Sequence, residues 1–173
     1  MLIIIAVSCI AYFIHSKAAA PVQKPVAEQS MFEFTGAEGW RKGPTNATSM
    51  ALFSPTNDDG TSECFTSIEY KTGIIDVPAE LEKQQTSVAS SGATISPINT
   101  QATFIGTNAG QKPYETHYYT IRGGDEQLMG GLGLGYLQFS KGFVEVESHC
   151  NTAEQLPSTV PAVQAYSINT TAY

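Results

Sequence analysis

Two of the three cysteines and two of the three histidines of this chain lie in its body, where their side chains could do chemistry. Cys64 and Cys150 lie in segments that alternate as β-strands do, and both fall on the more apolar side. Outside the cytoplasm this predicts a structural disulfide, worth about 4 kcal/mol in the chain-entropy treatment. Two unconnected buried thiols are the alternative. A metal site of Cys64, His149 and Cys150 is disfavoured, because adjacent strand residues point to opposite faces and no zinc-type spacing occurs.

His117 stands beside aromatic residues in the run 114–119, where Glu115 could help it act as a general base. A half-exposed strand histidine among aromatics is the other interpretation. The sequence contains no GxSxG elbow, Walker loop, HExxH or SxxK motif. It therefore predicts no catalytic residue, no metal site and no cofactor. A small hydrolase or metal-dependent enzyme that uses His117 or His149 remains the alternative.

Aromatic residues are concentrated in three consecutive strand-like segments near the C-terminus. Tyrosine-rich faces with a polar rim often bind partners. We therefore predict a binding surface, with the alternative that half of these rings belong to the core; its residues are Tyr114, Tyr118, Tyr119, Tyr136 and Phe143.

The N-terminus carries the one long apolar run. Residues 2–14 contain no polar residue beyond Ser8, and together with the small residues up to position 22 they are long enough to cross a bilayer. Residues 1–20 are therefore predicted to be a signal anchor or a signal peptide. The proline-containing segment 21–30 is typical of an extended linker, and a linker after an apolar helix favours the anchor. Residues 2–22 are therefore predicted to contact the membrane.

The orientation of this segment is predicted from conflicting signals. Lys17 and Lys24 follow the apolar run and no basic residue precedes it, which by the positive-inside rule favours a cytoplasmic body. The body, however, has few lysines and holds the cysteine pair, which favours the cell surface or the periplasm. We expect an extracytoplasmic body, and a basic stretch upstream of Met1 would reconcile the two observations.

The remaining residues, 31–173, are predicted to form one α+β domain. Strand-like segments occur at residues 49–54, 63–70, 93–98, 102–106, 114–122, 127–139 and 142–150. One helix is predicted from Asp76 to Gly92, and a second from Asn151, broken at Pro157 and continuing to Ile168. Strands joined by short hairpin loops pair antiparallel. We therefore expect a single domain with a largely antiparallel sheet and two flanking helices.

One strand has an unusual side. Gly131, Gly133 and Gly135 alternate with larger residues, so one face of that strand has no side chains and must be covered closely by a helix or a ligand. The order of all these elements resembles the PsbP/Mog1-like α/β sandwich. That resemblance implies a small non-enzymatic interaction module, and it assigns no functional residue.

The net charge of the chain limits which classes of partner it can bind. The chain has 173 residues, 9 Lys and Arg against 16 Asp and Glu, and a net charge of −7. An acidic protein lacks the basic footprint that nucleic acid requires, so nucleic acid is excluded. The sequence favours a membrane-anchored extracytoplasmic binding or assembly module without catalytic activity, whose partner is a protein or another envelope component. A structural envelope subunit is the second alternative, beside the enzyme.

Overall fold

The computed structural model describes residues 30–55, 61–124 and 127–169. The predicted anchor (1–20) and the predicted linker up to residue 29 lie outside the described residues. Within those ranges, no helix is both long enough and apolar enough to cross a bilayer.

In the described part of the chain, nine strands form one sheet in the spatial order β1-β9-β5-β6-β7-β8-β4-β3-β2. All neighbouring strands pair antiparallel except β5 and β9, which are parallel. The strands are β1 (Phe32–Phe34), β2 (Arg41–Thr45), β3 (Ser49–Phe53), β4 (Cys64–Thr72), β5 (Thr94–Thr107), β6 (Gly110–Arg122), β7 (Leu128–Gln138), β8 (Gly142–Cys150) and β9 (Tyr166–Ile168). The single domain and the largely antiparallel sheet are therefore as predicted, but the protein contains more sheet than the sequence indicated.

The sheet curls until its two ends nearly meet. Met31 N donates to Ala47 O in the turn between β2 and β3 at 2.8 Å, and Asn169 N donates to Met31 O at 2.9 Å. The beginning and the end of the described chain are therefore adjacent, and the sheet has an inner, concave face and an outer, convex face.

The inner face holds the main core. Along β8 the predicted inward set Val144, Val146, Ser148 and Cys150 is buried, as the alternation requires. Tyr166 crosses the interior from β9, and its hydroxyl lies 3.3 Å from both Met50 O and Thr66 O.

Helix α1 (Val77–Ser90) covers part of the outer face. Its start follows the predicted pattern, because the Asp76 side chain accepts from Ala79 N at 3.2 Å and a proline stands in the first turn. None of its residues is fully buried, and its hydrophobic residues Val77 and Leu81 pack on the sheet.

The second predicted helix is partly wrong. Residues Ala153–Thr159 form a 3₁₀ helix, Val160–Gln164 a short helix α2, and Tyr166–Ile168 the strand β9. The capping box joins Thr152 to Gln155 and not Asn151 to Glu154. The strand replaces the helix because β1 and β5 supply hydrogen-bond partners that no local pattern reveals.

Strand boundaries also differ from the predicted ones. The two predicted segments 93–98 and 102–106 are one strand, β5, because β6 pairs with it over its full length. A bulge between Pro97 and Asn99 interrupts the alternation there, which made the strand look like two. Strands β1 and β2 were not predicted, because they are short and do not alternate clearly.

The glycine-lined side of β7 faces inward and is covered, as predicted. A Cβ on Gly131 would lie 2.6 Å from Ala153 Cα in the 3₁₀ helix. At Gly133 the nearest atom would be Tyr118 Cε1, at 3.0 Å. A helix covers one end of the strand, and tyrosine rings from β6 cover the rest.

Candidate functional site

Cys64 and Cys150 are joined by a disulfide, as the sequence predicts. They are direct partners in the register of β4 and β8, with their Cα atoms 4.1 Å apart and 86 residues between them in sequence. On the inner side the disulfide packs with Tyr118 and Leu156. It therefore ties two neighbouring strands together at one end of the sheet.

The predicted tyrosine surface is not at the surface. Tyr114, Tyr118, Tyr119 and Tyr136 are each less than a tenth exposed, and Phe143 is half-buried. They also divide between the two faces: Tyr114 and Tyr118 cover the glycines of β7 inside, whereas Tyr119 and Tyr136 lie outside in the cluster beneath α1. Helical segments cover both faces of the sheet, so strand alternation alone could not reveal which aromatic residues are exposed.

The burial of these rings also sets their chemistry. Desolvation raises the pKa of Tyr114, Tyr118, Tyr119 and Tyr136, so their hydroxyls stay protonated at neutral pH. The Tyr136 hydroxyl has no hydrogen-bond partner among the described residues. These side chains contribute packing rather than a binding surface.

The two histidines are not brought together. His117 lies on β6 opposite Leu134 and contacts Thr100 Oγ1 through Nδ1 at 3.1 Å. His149 lies on β8, with β7 between them, so the strands are about 10 Å apart. The His149 ring stacks on Phe65 with centroids 4.6 Å apart, and Nε2 contacts Glu147 Oε1.

A cleft of about 400 Å³ lies where the disulfide joins β4 to β8. We call it the disulfide-end cleft. It is lined by Phe53, Ser62, Glu63, Cys64, Phe65, Met129, His149, Cys150 and Asn151. Among these, Phe53 and Phe65 are neighbours with ring centroids 6.2 Å apart, and Met129 is 64% exposed. These apolar side chains come from the consecutive strands β3 and β4 and from the more distant β7. Of the lining residues, the sequence singled out only the cysteines and His149.

Polar groups line the rim of the cleft. Glu63 Oε2 accepts from Gln155 Nε2 at 2.7 Å. Ser62 Oγ donates to Ser54 O at 3.0 Å and accepts from Arg41 Nη2 at 3.1 Å. The hydrogen bond from His149 lowers the pKa of Glu147, which therefore stays ionised. Among the described residues no group of three or more His, Cys, Asp or Glu side chains is arranged to hold a metal ion.

A second polar cluster lies on the outer face beside α1. Lys71 Nζ contacts Glu145 Oε1 at 3.0 Å and Glu69 Oε2 at 3.5 Å. Burial raises the pKa of Glu145, although Lys71 acts in the opposite direction, and Glu145 Oε2 has no partner among the described residues. This carboxylate costs stability when it is charged.

The architecture is a curled antiparallel sheet with helical segments on both faces, which is the PsbP-like fold that the order of elements suggested. One similar solved structure is the solution structure of cyanobacterial PsbP (CyanoP) from Synechocystis sp. PCC 6803. It matches with a TM-score of 0.51 and 11% sequence identity, over 87% of this chain and 98% of that chain. No family model and no curated protein matches the sequence.

Proposed function

We propose that this chain is a membrane-anchored, extracytoplasmic binding or assembly module without catalytic activity, and that it contacts a protein partner through the disulfide-end cleft. One observation carries the proposal: exposed and half-exposed apolar side chains line a cleft whose strands are joined by a covalent bond.

The side chains of the cleft suit the recognition of a protein. Protein interfaces draw most of their binding energy from a few apolar or aromatic anchors that enter pockets. A cleft of about 400 Å³ is large enough to accept such an anchor, and Met129 provides a flexible, polarizable wall for it. The disulfide holds β4 and β8 in register in the free protein, so less conformational entropy is lost on binding.

The hydrogen bonds of Ser62, whose hydroxyl group lines the cleft, support a role in binding rather than in catalysis. A hydrolase that used His149 would need a nucleophile whose proton the imidazole can take. Ser62 Oγ donates its proton to Ser54 O and accepts from Arg41 instead. The His149 ring contacts Glu147 and stacks on Phe65, which makes it part of the wall of the cleft.

The location rests on the sequence and on the disulfide. The apolar segment 2–22 supplies the anchor, and a disulfide that closes 86 residues forms and persists outside the cytoplasm. Residues 1–20 contribute one lysine and no acid, so the rest of the chain has a net charge of −8. The PsbP-like fold is consistent with a small interaction module.

A pair of charge substitutions tests the cleft. Met129→Glu places a carboxylate in the cleft, whereas Ile74→Glu makes the same change at a residue that is 91% exposed in the loop before α1. The full-length chain is cross-linked in its native membranes, and the proteins joined to it are identified. We expect partners that the wild type and Ile74→Glu share and Met129→Glu loses. Equal recovery with all three chains would contradict the cleft as the contact surface.

Replacing both histidines distinguishes the proposed binding module from the enzyme alternative. His117→Gln with His149→Gln leaves the exposed Met129 in place, so the cross-linked partners are expected to persist. If the double variant retained its partners but lost a measurable turnover, the protein would be an enzyme. The structural-subunit alternative predicts open polymers of the chain in membranes rather than a complex of defined size.

A further inference from the structure

A small cavity lies between the inner face of the sheet and the helical segment that contains α2. Its volume is about 10 Å³, and eight of the nine described residues that line it are buried, the exception being the partly exposed Val160. Three of the nine are valines, and the other six carry hydroxyl groups. The hydroxyl-bearing residues are Thr103, Tyr114, Thr116, Tyr118, Ser148 and Thr159. The cavity is therefore polar, although it adjoins the main apolar core.

The glycines of β7 make room for this cavity. Strand β7 lies between β6 and β8, yet lining side chains come from β6 and β8 on either side of it. A Cβ on Gly133 would lie 3.0 Å from Tyr118 Cε1 and 3.4 Å from Ser148 Cβ. A Cβ on Gly135 would lie 3.3 Å from Thr116 Oγ1. Because the glycines have no side chains, polar groups of β6 and β8 reach the same space above β7.

The Thr103 hydroxyl faces this cavity without a protein partner. Thr103 is 3% exposed, and its Oγ1 has no hydrogen-bond partner among the described residues. Ser148 Oγ donates to Thr66 Oγ1 at 3.1 Å. Thr159 Oγ1 donates to Leu156 O at 2.8 Å. A hydroxyl that donates once still has lone pairs to accept with, so Ser148 and Thr159 can each accept a further hydrogen bond.

We propose that this cavity binds one water molecule, held by Thr103 Oγ1 and by other hydroxyl groups of the lining. Roughly 10–15 Å³ is the smallest space that holds a water molecule, so the cavity takes one and no larger ligand. A buried water makes about three hydrogen bonds, and six hydroxyl groups are available to provide them. The water supplies the partner that the buried Thr103 hydroxyl requires.

The lining favours a neutral ligand over an ion. None of the nine described lining residues is an Asp, Glu, Lys, Arg or His. An ion buried without a charged partner costs far more free energy than a hydrogen-bonded neutral molecule. Desolvation raises the pKa of Tyr114, so its hydroxyl also stays neutral. Groups that both donate and accept are suited to water, which does the same.

A crystal structure of the wild-type full-length chain, at a resolution that shows ordered water, tests the site directly. We expect one water about 2.5–3.0 Å from Thr103 Oγ1 and within hydrogen-bond distance of at least one other hydroxyl of the lining. The proposal is overturned if no water lies there, or if Thr103 Oγ1 bonds to a protein atom instead.

Replacing two threonines by valine tests the same hydrogen bond in solution. Thr103→Val and Thr107→Val make the same change at two buried positions of β5, and Thr107 Oγ1 donates to Gly110 O at 2.6 Å. Thr107→Val is therefore the matched control for a lost hydrogen bond. With the water bound, Thr103→Val also loses a hydrogen bond, and we expect the urea midpoint of the oxidised full-length chain to fall by about 0.5 M. If the Thr103 hydroxyl were unpaired, valine would remove an unsatisfied polar group. A midpoint equal to or above that of the wild type would then overturn the proposal.

Discussion

Replacing glycines along β7 by alanine tests the packing of the inner face directly. Alanine at position 131 would bring its Cβ to 2.6 Å from Ala153 Cα and 2.9 Å from Leu156 Cδ1. The first of these atoms is backbone, so the 3₁₀ helix must move as a whole. At position 133 the nearest atom is Tyr118 Cε1 at 3.0 Å, which belongs to a ring that can shift by a few tenths of an ångström.

The two substitutions therefore differ in free energy. Overpacking a core costs about 1–3 kcal/mol, whereas removing a strand glycine recovers roughly 0.5–1 kcal/mol of backbone entropy. We expect Gly131→Ala to lower the free energy of unfolding by about 1–2 kcal/mol. For Gly133→Ala the two effects nearly cancel, and the change stays within about 1 kcal/mol of zero.

Urea unfolding of the oxidised full-length chain, followed by circular dichroism, measures this difference. With a denaturant slope of about 2 kcal/mol per molar, Gly131→Ala is expected to lower the midpoint by about 0.5–1 M. Gly133→Ala serves as the matched control, because it makes the same chemical change on the same face of the same strand. A Gly131→Ala protein as stable as Gly133→Ala would refute the close contact between the 3₁₀ helix and the sheet.

Three further predictions concern the disulfide and two buried polar groups. Reducing the disulfide is expected to lower the free energy of unfolding by about 4 kcal/mol, measured by urea unfolding with and without a thiol reductant; an unchanged midpoint would contradict this. Tyr166→Phe removes the hydroxyl shared by Met50 O and Thr66 O, and we expect the free energy of unfolding to fall by about 1–2 kcal/mol in the same assay. An unchanged free energy of unfolding would show that these contacts do not stabilise the fold. Because burial raises the pKa of Glu145, the wild type loses stability as pH rises through that pKa, and the stability of Glu145→Gln relative to wild type should increase with pH. A relative stability that is constant or falls with pH would contradict this.

The elements with a strong local pattern were predictable from the sequence. Alternation along β4 and β8 placed Cys64 and Cys150 on inward faces, which led to their pairing. The Asp76 cap and its following proline defined the start of α1. These features depend on neighbours in sequence, which is why the order of elements sufficed to suggest the fold.

Features that depend on distant partners were not predictable. Strand β9 exists because β1 and β5 lie beside it, and its three residues follow directly after a helix. Tyr119 and Tyr136 are buried by α1, whose apolar side was too thin in the sequence to indicate that it covers them. The disulfide-end cleft takes Phe53, Phe65 and Met129 from three separate strands, and no spacing in the sequence relates them.

Because the curled sheet nearly closes, both ends of the described chain lie at the same end of the domain. Met31 contacts Ala47, and Tyr70 N donates to Thr48 O, so the chain enters and leaves the body beside the Tyr70 end of β4. Cys64 begins that strand, six residues or roughly 20 Å away. A body tethered through residue 30 therefore carries its cleft at the far pole, directed away from the tether. If the chain is anchored as proposed, the length of the segment before residue 30 would set how far from the membrane the cleft lies.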